Sequence, residues 1–341
     1  MQYFEGLESV PEGFGPSVVT LGNFDGVHRG HQRVLQTVLE RAESTGAVSV
    51  AVTFDPHPAT VHRPEDEHPE IMSLEDRLEA LDAMGLDAVV VIAYSLEFAA
   101  QQPEDFIRRA FVEALDASCV VVGPDTRFGK GNSGDVSTLQ RAGEENGFEV
   151  VVVDEFEAND GEAGRRCSST WIRSLLAVGN VERAAEIIGT PHKVRGEVVR
   201  GFQRGRELGF PTANLSPDSH GLVPAEGVYA GWLTDESGVR WPAAISVGKN
   251  PTFDGVTRTT VEAHVLGRPE KEPVESFNLY GQTVSVEFVH RLRGMVAFKG
   301  VEQLVEQISE DVERATDLLG FPASVSTGQT GTVATGAPSG E

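Results

Sequence analysis

The stretch VVTLGNFDGVHRGHQRVL, residues 18–35, joins a strand-length apolar run to a tight loop and the start of a helix. Apolar residues on one helical face predict that the helix covers residues 31–43, and Gly46 is a natural stop for it. A strand followed closely by a helix is typical of a parallel α/β sheet, and such sheets bind ligands at the edge where their strands end. The loop between the two is therefore the first candidate site.

Further strand-length runs alternate with helical stretches as far as residue 153. The apolar runs are SVVTL, AVSVAVTF, DAVVVIA, CVVVG and FEVVVV. Helices are predicted from Ser73 to Gly85, from Pro103 onward with Phe106, Ile107, Ala110 and Phe111 buried, over 169–178 and over 181–188. This alternation predicts an α/β doubly wound domain with five strands over residues 1–188.

The sequence changes character after Gly189. Short β-branched runs punctuated by Gly and Pro follow: KVRGEVV, GVYAGWL, VRWPAAISV, TTVEAHVL and QTVSVEFVHRL. They predict a small antiparallel β-barrel or sandwich over residues 189–321. One helix closes this domain, with a single apolar face: Val301, Leu304, Val305, Ile308, Val312, Ala315 and Leu319. Residues 322–341, rich in Ser, Thr, Gly and Ala, are predicted to be a disordered tail.

The charge balance excludes some classes of partner. The 52 Asp and Glu residues outweigh 28 Lys and Arg residues, giving a formal net charge of −24. Because such a surface repels phosphate backbones, we expect no nucleic-acid partner and no membrane partner. Without a span-length apolar run or a leader segment, the protein is predicted to be cytoplasmic. Its two cysteines, Cys119 and Cys167, are predicted to be buried thiols.

The first chemical motif is H-x-G-H, formed by His28, Gly30 and His31 at a helix N-terminus. Imidazole donors and free backbone N–H groups converge there on an anion, so the motif can stabilise charge on a phosphate under attack. Two other interpretations stay open at this point. The histidines could be a structural pair, or two ligands of a zinc ion that lacks an obvious third ligand.

Two more polar motifs are expected at the same edge of the sheet. TFDPHP, residues 53–58, follows a strand and could also be a plain proline-rich turn. SSTWIR, residues 168–173, places three hydroxyls at a helix start and an arginine one turn in. Alone it reads as an N-cap, but beside H-x-G-H it becomes a second phosphate-binding group with Arg173 as a bidentate partner.

Together with VVGPDTRFGKGNSG, these motifs resemble the FMN adenylyltransferase module of the bacterial bifunctional riboflavin kinase/FAD synthetases, a nucleotidylyltransferase-type domain. The resemblance implies an ATP site formed by Asn23, Asp25, His28, His31, Ser168, Ser169, Thr170 and Arg173, with His28, His31 and Arg173 catalytic. It implies a flavin site formed by Asp55, Pro56, His57, Pro58, Asp125 and Phe128. The chain departs from the family at Thr126, where Phe is common.

The second domain contains a glycine-spaced loop, RGFQRGRELGFPTANL, with Arg200, Arg204 and Arg206. It is either a phosphate cradle or an ordinary connection with solvated arginines. Thr212 and Asn214 alternate on a strand and so face one side, where their oxygens could bind Mg²⁺. Glu262, in the strand TTVEAHVL, could be a general base or simply a solvent-facing residue.

The loop, GVYAGW, SVGKNPTF, VEAHVL and VEFVHRLR together are similar to riboflavin kinase. That resemblance implies that Thr212 and Asn214 bind Mg²⁺ and ATP phosphates, and that Asn214 and Glu262 are catalytic, with Glu262 as base on the flavin hydroxyl. It places Gly201 and Arg206 at the ATP and Arg293 at the flavin. Gly267-Arg268 replaces an acidic residue that often follows in the family.

These motif sets predict a two-site enzyme with riboflavin, FMN, FAD and ATP as substrates and products and Mg²⁺ as cofactor. The C-terminal domain phosphorylates riboflavin, and the N-terminal domain adenylylates FMN. The alternatives are a riboflavin kinase with an inactive, flavin-binding N-terminal domain and, behind it, a zinc-dependent hydrolase. The oligomeric state is left open, with a homo-oligomer among the options.

Overall fold

The computed structural model describes residues 1–65, 68–154, 156, 165–201, 208–251, 257–267, 278–298 and 300–320. The tail predicted over 322–341 lies outside the described residues, as do Arg204 and Arg206 of the glycine-spaced loop. Within the described ranges, no helix is long and apolar enough to cross a membrane. The cytoplasmic location and the absence of a nucleic-acid partner stay predictions.

The N-terminal sheet has six parallel strands in the order β1-β4-β3-β2-β5-β6. They are β1 Gln2–Glu5, β2 Ser17–Leu21, β3 Val48–Asp55, β4 Ala88–Ala93, β5 Ala117–Val122 and β6 Glu149–Val152. The doubly wound fold is confirmed, but five strands was one too few. The missed β1 is a short, mostly exposed edge strand without an apolar run, and it pairs with β4.

Helices cover the sheet on both faces. They are α1 Arg29–Thr45, α2 Pro58–His62, α3 Leu74–Ala83, α4 Leu96–Ala99, α5 Pro103–Ile107, α6 Val136–Asn146, α7 Ser169–Ala177 and α8 Val181–Ile188. Gly46 ends α1 at a φ of 67°, a left-handed conformation that glycine adopts without strain. After α5 the chain continues as a π-helix, Arg108–Ala114, and the four residues predicted to be buried there are buried.

The second domain is a closed barrel with strand order β10-β11-β8-β7-β12-β9, so the sandwich alternative is wrong. The strands are β7 His192–Val199, β8 Ala213–Leu215, β9 Gly227–Thr234, β10 Arg240–Pro251, β11 Thr257–Val265 and β12 Thr283–Arg293. Alternate side chains fill the interior, among them Ala213, Ile245, Val261, Ala263 and Phe288.

The closing helix, α9 Val301–Leu318, packs less completely than its sequence predicts. Ala315 is fully buried against the barrel, and Val312 and Leu319 pack beside it. Val301, on the single apolar face predicted for this helix, is 56% exposed, so the barrel does not cover that face at its N-terminal end. Apolar spacing reports which residues share a face, but it does not report how far the partner surface extends.

One buried apolar cluster spans the junction between the two halves of the chain. Helices α7 and α8 pack against the barrel, joining Ile172 and Ile187 to Tyr229 and Phe288 in a single buried cluster. On the other side of this junction, Asp76 of α3 forms ion pairs with Lys193 at 2.8 Å and with Arg195 at 2.9 Å, both on β7. The α/β sheet and the barrel therefore meet through both apolar and ionic contacts.

Candidate active sites

The loop after β2 opens into a cavity of about 280 Å³ at the carboxyl edge of the sheet. Its walls come from the ends of β2, β3 and β5 and from the segment just before α7. Lining residues include Asn23, Phe24, His28, Gly30, His31, Asp125, Thr126, Arg127, Arg166 and Cys167. The structure thus brings together the H-x-G-H motif, Asn23 and the loop around Asp125, as an edge-of-sheet site requires.

His28 and His31 lie face to face in this cavity, with ring centroids 3.7 Å apart and planes 16° apart. His28 is the N-cap of α1, and its Nδ1 accepts the backbone N–H of His31 at 3.2 Å. A neutral ring that accepts at Nδ1 carries its proton on Nε2, so that atom is a donor. His28 can therefore cap the helix through Nδ1 and still donate a hydrogen bond from Nε2 to an anion in the cavity.

Burial controls the protonation of both rings. It lowers the pKa of His28 to about 4, with the nearby Arg166 guanidinium adding to the effect. It lowers the pKa of His31 well below its usual value, and the neighbouring His28 and Arg166 lower it further. At neutral pH both imidazoles are uncharged donors. No cluster of three or more metal-ligating side chains occurs in the described ranges, so the zinc interpretation gains no third ligand.

Asp25 lies behind the cavity and is almost fully buried, at 1% exposure. Its carboxylate accepts the backbone N–H of Ile71 at 2.9 Å and forms an ion pair with Arg173. Burial raises the pKa of Asp25, and the Arg173 cation opposes that rise. Arg173 also donates from Nε to the carbonyl of Pro69 at 3.0 Å. Its predicted phosphate contact would therefore come from a guanidinium that is already anchored.

The hydroxyls of SSTWIR make local bonds. Ser168 caps α7 by accepting the N–H of Trp171 at 3.2 Å, which is the N-cap interpretation of this motif. Ser169 donates to the backbone carbonyl of Asp25 at 2.7 Å, and Thr170 is exposed. The segment is thereby fastened to the loop after β2. Among the described residues around the 280 Å³ cavity, its wall does not include these three or Arg173.

A second cavity, of about 650 Å³, adjoins the first. Aromatic and histidine side chains dominate its lining: Phe54, His57, His62, His68, Tyr94, Phe98, Phe106 and Phe128. Of the predicted flavin-site residues, His57, Pro58 and Phe128 line it. Asp55 and Pro56 precede them at the end of β3, joined by a cis peptide bond, and are not part of the described lining. Asp125 lies in the smaller cavity and pairs with Arg166.

The two cavities share a wall. Asn23 at the end of β2, Phe54 near the end of β3 and Arg127 line both of them. A molecule in the aromatic cavity and a molecule beside His28 would therefore meet at this wall. Thr126 lies on the 280 Å³ side, whereas the aromatic rings line the larger cavity without it.

The predicted barrel site is centred on the pairing of β8 with β11, where Asn214 lies directly opposite Glu262. Their neighbours Ala213 and Ala263 point into the barrel, so Asn214 and Glu262 lie on its outer face. Asn214 Nδ2 donates to Thr212 Oγ1 at 3.1 Å. Thr212 lies just before β8 rather than on it, yet its side chain contacts Asn214, and three polar side chains gather on this face.

The structure also describes two further residues predicted for the kinase domain, Gly201 beside Asn214 and Arg293 at the end of β12. Gly201 approaches Asn214 so closely that an added Cβ would lie 2.5 Å from Asn214 Cγ, which explains why glycine stands there. Arg293, at the end of β12, pairs with Asp311 of α9 at 2.7 Å and fastens the helix to the barrel. Arg206 lies outside the described residues.

Comparison with known proteins also divides the chain into a sheet domain and a barrel domain. The FAD synthetase family model matches residues 11–170, and the riboflavin kinase model matches residues 188–319. The bifunctional riboflavin kinase/FMN adenylyltransferase of Escherichia coli K12 is 33% identical over 304 residues, covering 89% of this chain and 93% of that one. The chain belongs to the bifunctional riboflavin kinase/FMN adenylyltransferase family. The Bacillus subtilis protein of the same name is 32% identical over 311 residues, covering 88% of this chain and 91% of that one.

A solved structure shares the whole architecture of this family member. It is the crystal structure described as a macrolide-efflux protein from Streptococcus pneumoniae, with a TM-score of 0.80 and 31% sequence identity. The match covers 92% of this chain and 98% of that one. The two chains therefore share their overall fold.

Sequence reasoning missed several residues in and around the two cavities of the sheet domain. Tyr94 and Phe98 follow the end of β4 and were not singled out, although ring-bearing residues just after a strand are a usable signal at a sheet edge. Phe106 was predicted only as core, and it is both core and cavity wall. Arg77, on α3, gave no sequence signal at all, since one arginine in an amphipathic helix is usually solvated.

Proposed function

We propose that the sheet site transfers AMP from ATP to FMN, and that the barrel site transfers the γ-phosphoryl group of ATP to riboflavin. The wall shared by the two cavities is the observation that supports the proposed AMP transfer. ATP beside His28 and FMN among the rings would bring the α-phosphorus and the FMN phosphate together at Asn23 and Phe54. Transfer between two bound phosphates needs positioning and charge stabilisation rather than a protein nucleophile.

In the adenylyl transfer, an oxygen of the FMN phosphate attacks the α-phosphorus, the bond to the β-phosphate oxygen breaks, and pyrophosphate leaves. His28 and His31 are neutral at pH 7 because burial lowers the pKa of each. They therefore stabilise the developing charge as hydrogen-bond donors, together with the N-terminus of α1. The aromatic rings of the larger cavity offer the apolar faces on which an isoalloxazine ring stacks.

In the kinase reaction, Thr212 and Asn214 would hold Mg²⁺. The fit is supported by their chemistry, because a hydroxyl and an amide oxygen 2 residues apart on one face are hard oxygen donors of the kind Mg²⁺ takes. When bound, the ion would neutralise the negative charge on the phosphoryl group during its transfer. Glu262, opposite Asn214, would accept the proton of the ribityl hydroxyl.

This proposal divides the chain into an adenylyltransferase domain over residues 1–188 and a kinase domain over 189–321. The rival, a kinase with an inactive N-terminal domain, was motivated by Thr126. That residue lies on the ATP side of the shared wall, and the larger cavity has its own rings. Its side chain therefore gives no reason to expect loss of flavin stacking.

Incubating the protein with riboflavin and MgATP and separating the products by chromatography tests the proposal. We expect FMN to appear first, followed by FAD and pyrophosphate. If riboflavin is converted only to FMN, and if no FAD forms when FMN and ATP are supplied in excess, the rival is supported. A protein that makes neither product would refute both.

A further inference from the structure

Arg77 is an arginine without a place in either cavity. It lies on α3, is 0% exposed and is the largest fully buried side chain described in the chain. Neither cavity lining includes it in the described ranges. A buried guanidinium is costly unless hydrogen bonds and opposite charge compensate it, so its contacts indicate what it is for.

Those contacts all lead to the shared wall. Nη1 donates to the carbonyl of Phe54 at 2.8 Å and to Thr53 Oγ1 at 3.2 Å. Nη2 pairs with Glu70 at 3.3 Å. The planar fork of arginine thus ties the end of β3 to the segment before α3, a geometry that a lysine cannot reproduce.

A second layer of bonds carries this restraint to the site. Thr53 donates its hydroxyl proton to the carbonyl of Asn23 at 3.1 Å, and Glu70 accepts the N–H of His57 at 3.4 Å. Asn23 lines both cavities, and His57 lines the larger one. Arg77 therefore reaches one residue on the ATP side and one on the flavin side through a single intermediary each.

Its charge acts in the same place. Burial lowers the pKa of His57 to about 4, and Arg77 is among the cations that lower it further. Arg77 also contributes to the low pKa of His31. Because the guanidinium is held out of solvent, its positive charge is poorly screened.

We propose that Arg77 is the positioning residue of adenylyl transfer, holding Asn23, Phe54 and His57 in the geometry that aligns the two phosphates. This inference rests on the proposed function of the sheet site. A misplacement of about 1 Å in such a site costs about 100-fold in rate. A purely structural arginine would instead lower the amount of folded protein and leave kcat per folded molecule unchanged for both reactions.

The chain supplies its own folding control, since the kinase site lies in the barrel. We would measure kcat and KM for FAD formation from FMN, and for FMN formation from riboflavin, in Arg77→Met and Arg77→Lys. Arg141→Met is the matched control, because this helical arginine pairs with Glu104 at 3.3 Å but is exposed. All values are taken per mole of folded protein.

We expect Arg77→Met to lower kcat for FAD formation about 100-fold, with both KM values within about threefold and kinase kcat within about twofold. Arg77→Lys should recover about tenfold of that loss, since it keeps the charge and one hydrogen bond. Arg141→Met should match the wild type. FAD formation by Arg77→Met within about threefold of the wild type, or a proportional fall of both activities, would overturn the inference.

A double-mutant cycle keeps the test decisive if Arg77→Met fails to fold. Thr53→Val removes the link to Asn23 with little change of shape. If Arg77 acts through Thr53, the combined loss in Thr53→Val with Arg77→Lys is smaller than the product of the single losses. If the two losses in kcat simply multiply, the proposed route from Arg77 through Thr53 to Asn23 is overturned. A wild type that makes FMN but no FAD would instead refute the proposed function itself.

Discussion

Gly201→Ala is expected to disable the kinase site while sparing the adenylyltransferase site. A methyl group at this position would lie 2.5 Å from Asn214 Cγ, whereas carbon atoms in contact prefer about 3.5 Å or more. Asn214 must therefore move by about 1 Å, which breaks its bond to Thr212 and displaces a proposed Mg²⁺ ligand. A displacement of that size predicts a fall of about 100-fold in kcat for FMN formation.

The assay follows FMN formation from riboflavin and MgATP, and separately FAD formation from supplied FMN. Gly294→Ala is the matched control, because a methyl group there would meet open space in the same domain. It should keep kinase kcat within about twofold of the wild type. Kinase activity of Gly201→Ala within about threefold of the wild type would refute the reasoning, as would an equal loss of FAD formation.

Other substitutions test the junction, the core and the cavities. Asp76→Ala removes the buried carboxylate that Lys193 and Arg195 share, leaves them only the more exposed Glu75 and Glu79, and should lower the free energy of unfolding in urea by about 2 kcal/mol. Glu79→Ala, at a half-exposed partner of the same cations, should cost less than about 1 kcal/mol. Equal losses would contradict this. Burial lowers the pKa of His192 from 6.5 to about 4, so the unfolded chain binds the proton more tightly. The free energy of unfolding should therefore fall as the pH drops from about 6.5 to 4. In urea titrations, this fall should be smaller by about 2–3 kcal/mol in a His192→Gln variant. Phe128→Leu should raise KM for FMN about fivefold with KM for ATP unchanged, and Thr126→Val should do the reverse. If steady-state kinetics moved both KM values together, the assignment of the two cavities would be wrong.

Much of the architecture could be predicted because local signals and tertiary packing agree. The alternation of apolar runs and helical stretches predicted the class of the first domain, and short β-branched runs predicted an antiparallel β domain after it. Ser73 starts a helix and Gly46 ends one as their residue types favour. Strand β1 and the exposure of Val301 at the start of α9 escaped prediction for a physical reason. An edge strand needs no apolar run, and an apolar stripe does not show where its partner surface ends.

The candidate site could be predicted only as far as its motifs reach. Spacing brought His28 and His31 to one helix start, but their stacking depends on the capping bond and on burial. Motifs likewise could not show that Asp25 forms an ion pair with Arg173. Arg77 looked like a solvated residue of an amphipathic helix, and only the tertiary structure encloses it beneath the end of β3.

The central claim is that one chain carries two separate catalytic sites, and mixing two crippled variants tests it most directly. His28→Ala alone should stop at FMN when given riboflavin and MgATP. Glu262→Gln alone should leave riboflavin untouched yet convert supplied FMN to FAD. The account predicts that an equimolar mixture of the two makes FAD from riboflavin. It would be contradicted if either folded variant lost both activities, or if the mixture produced no FAD.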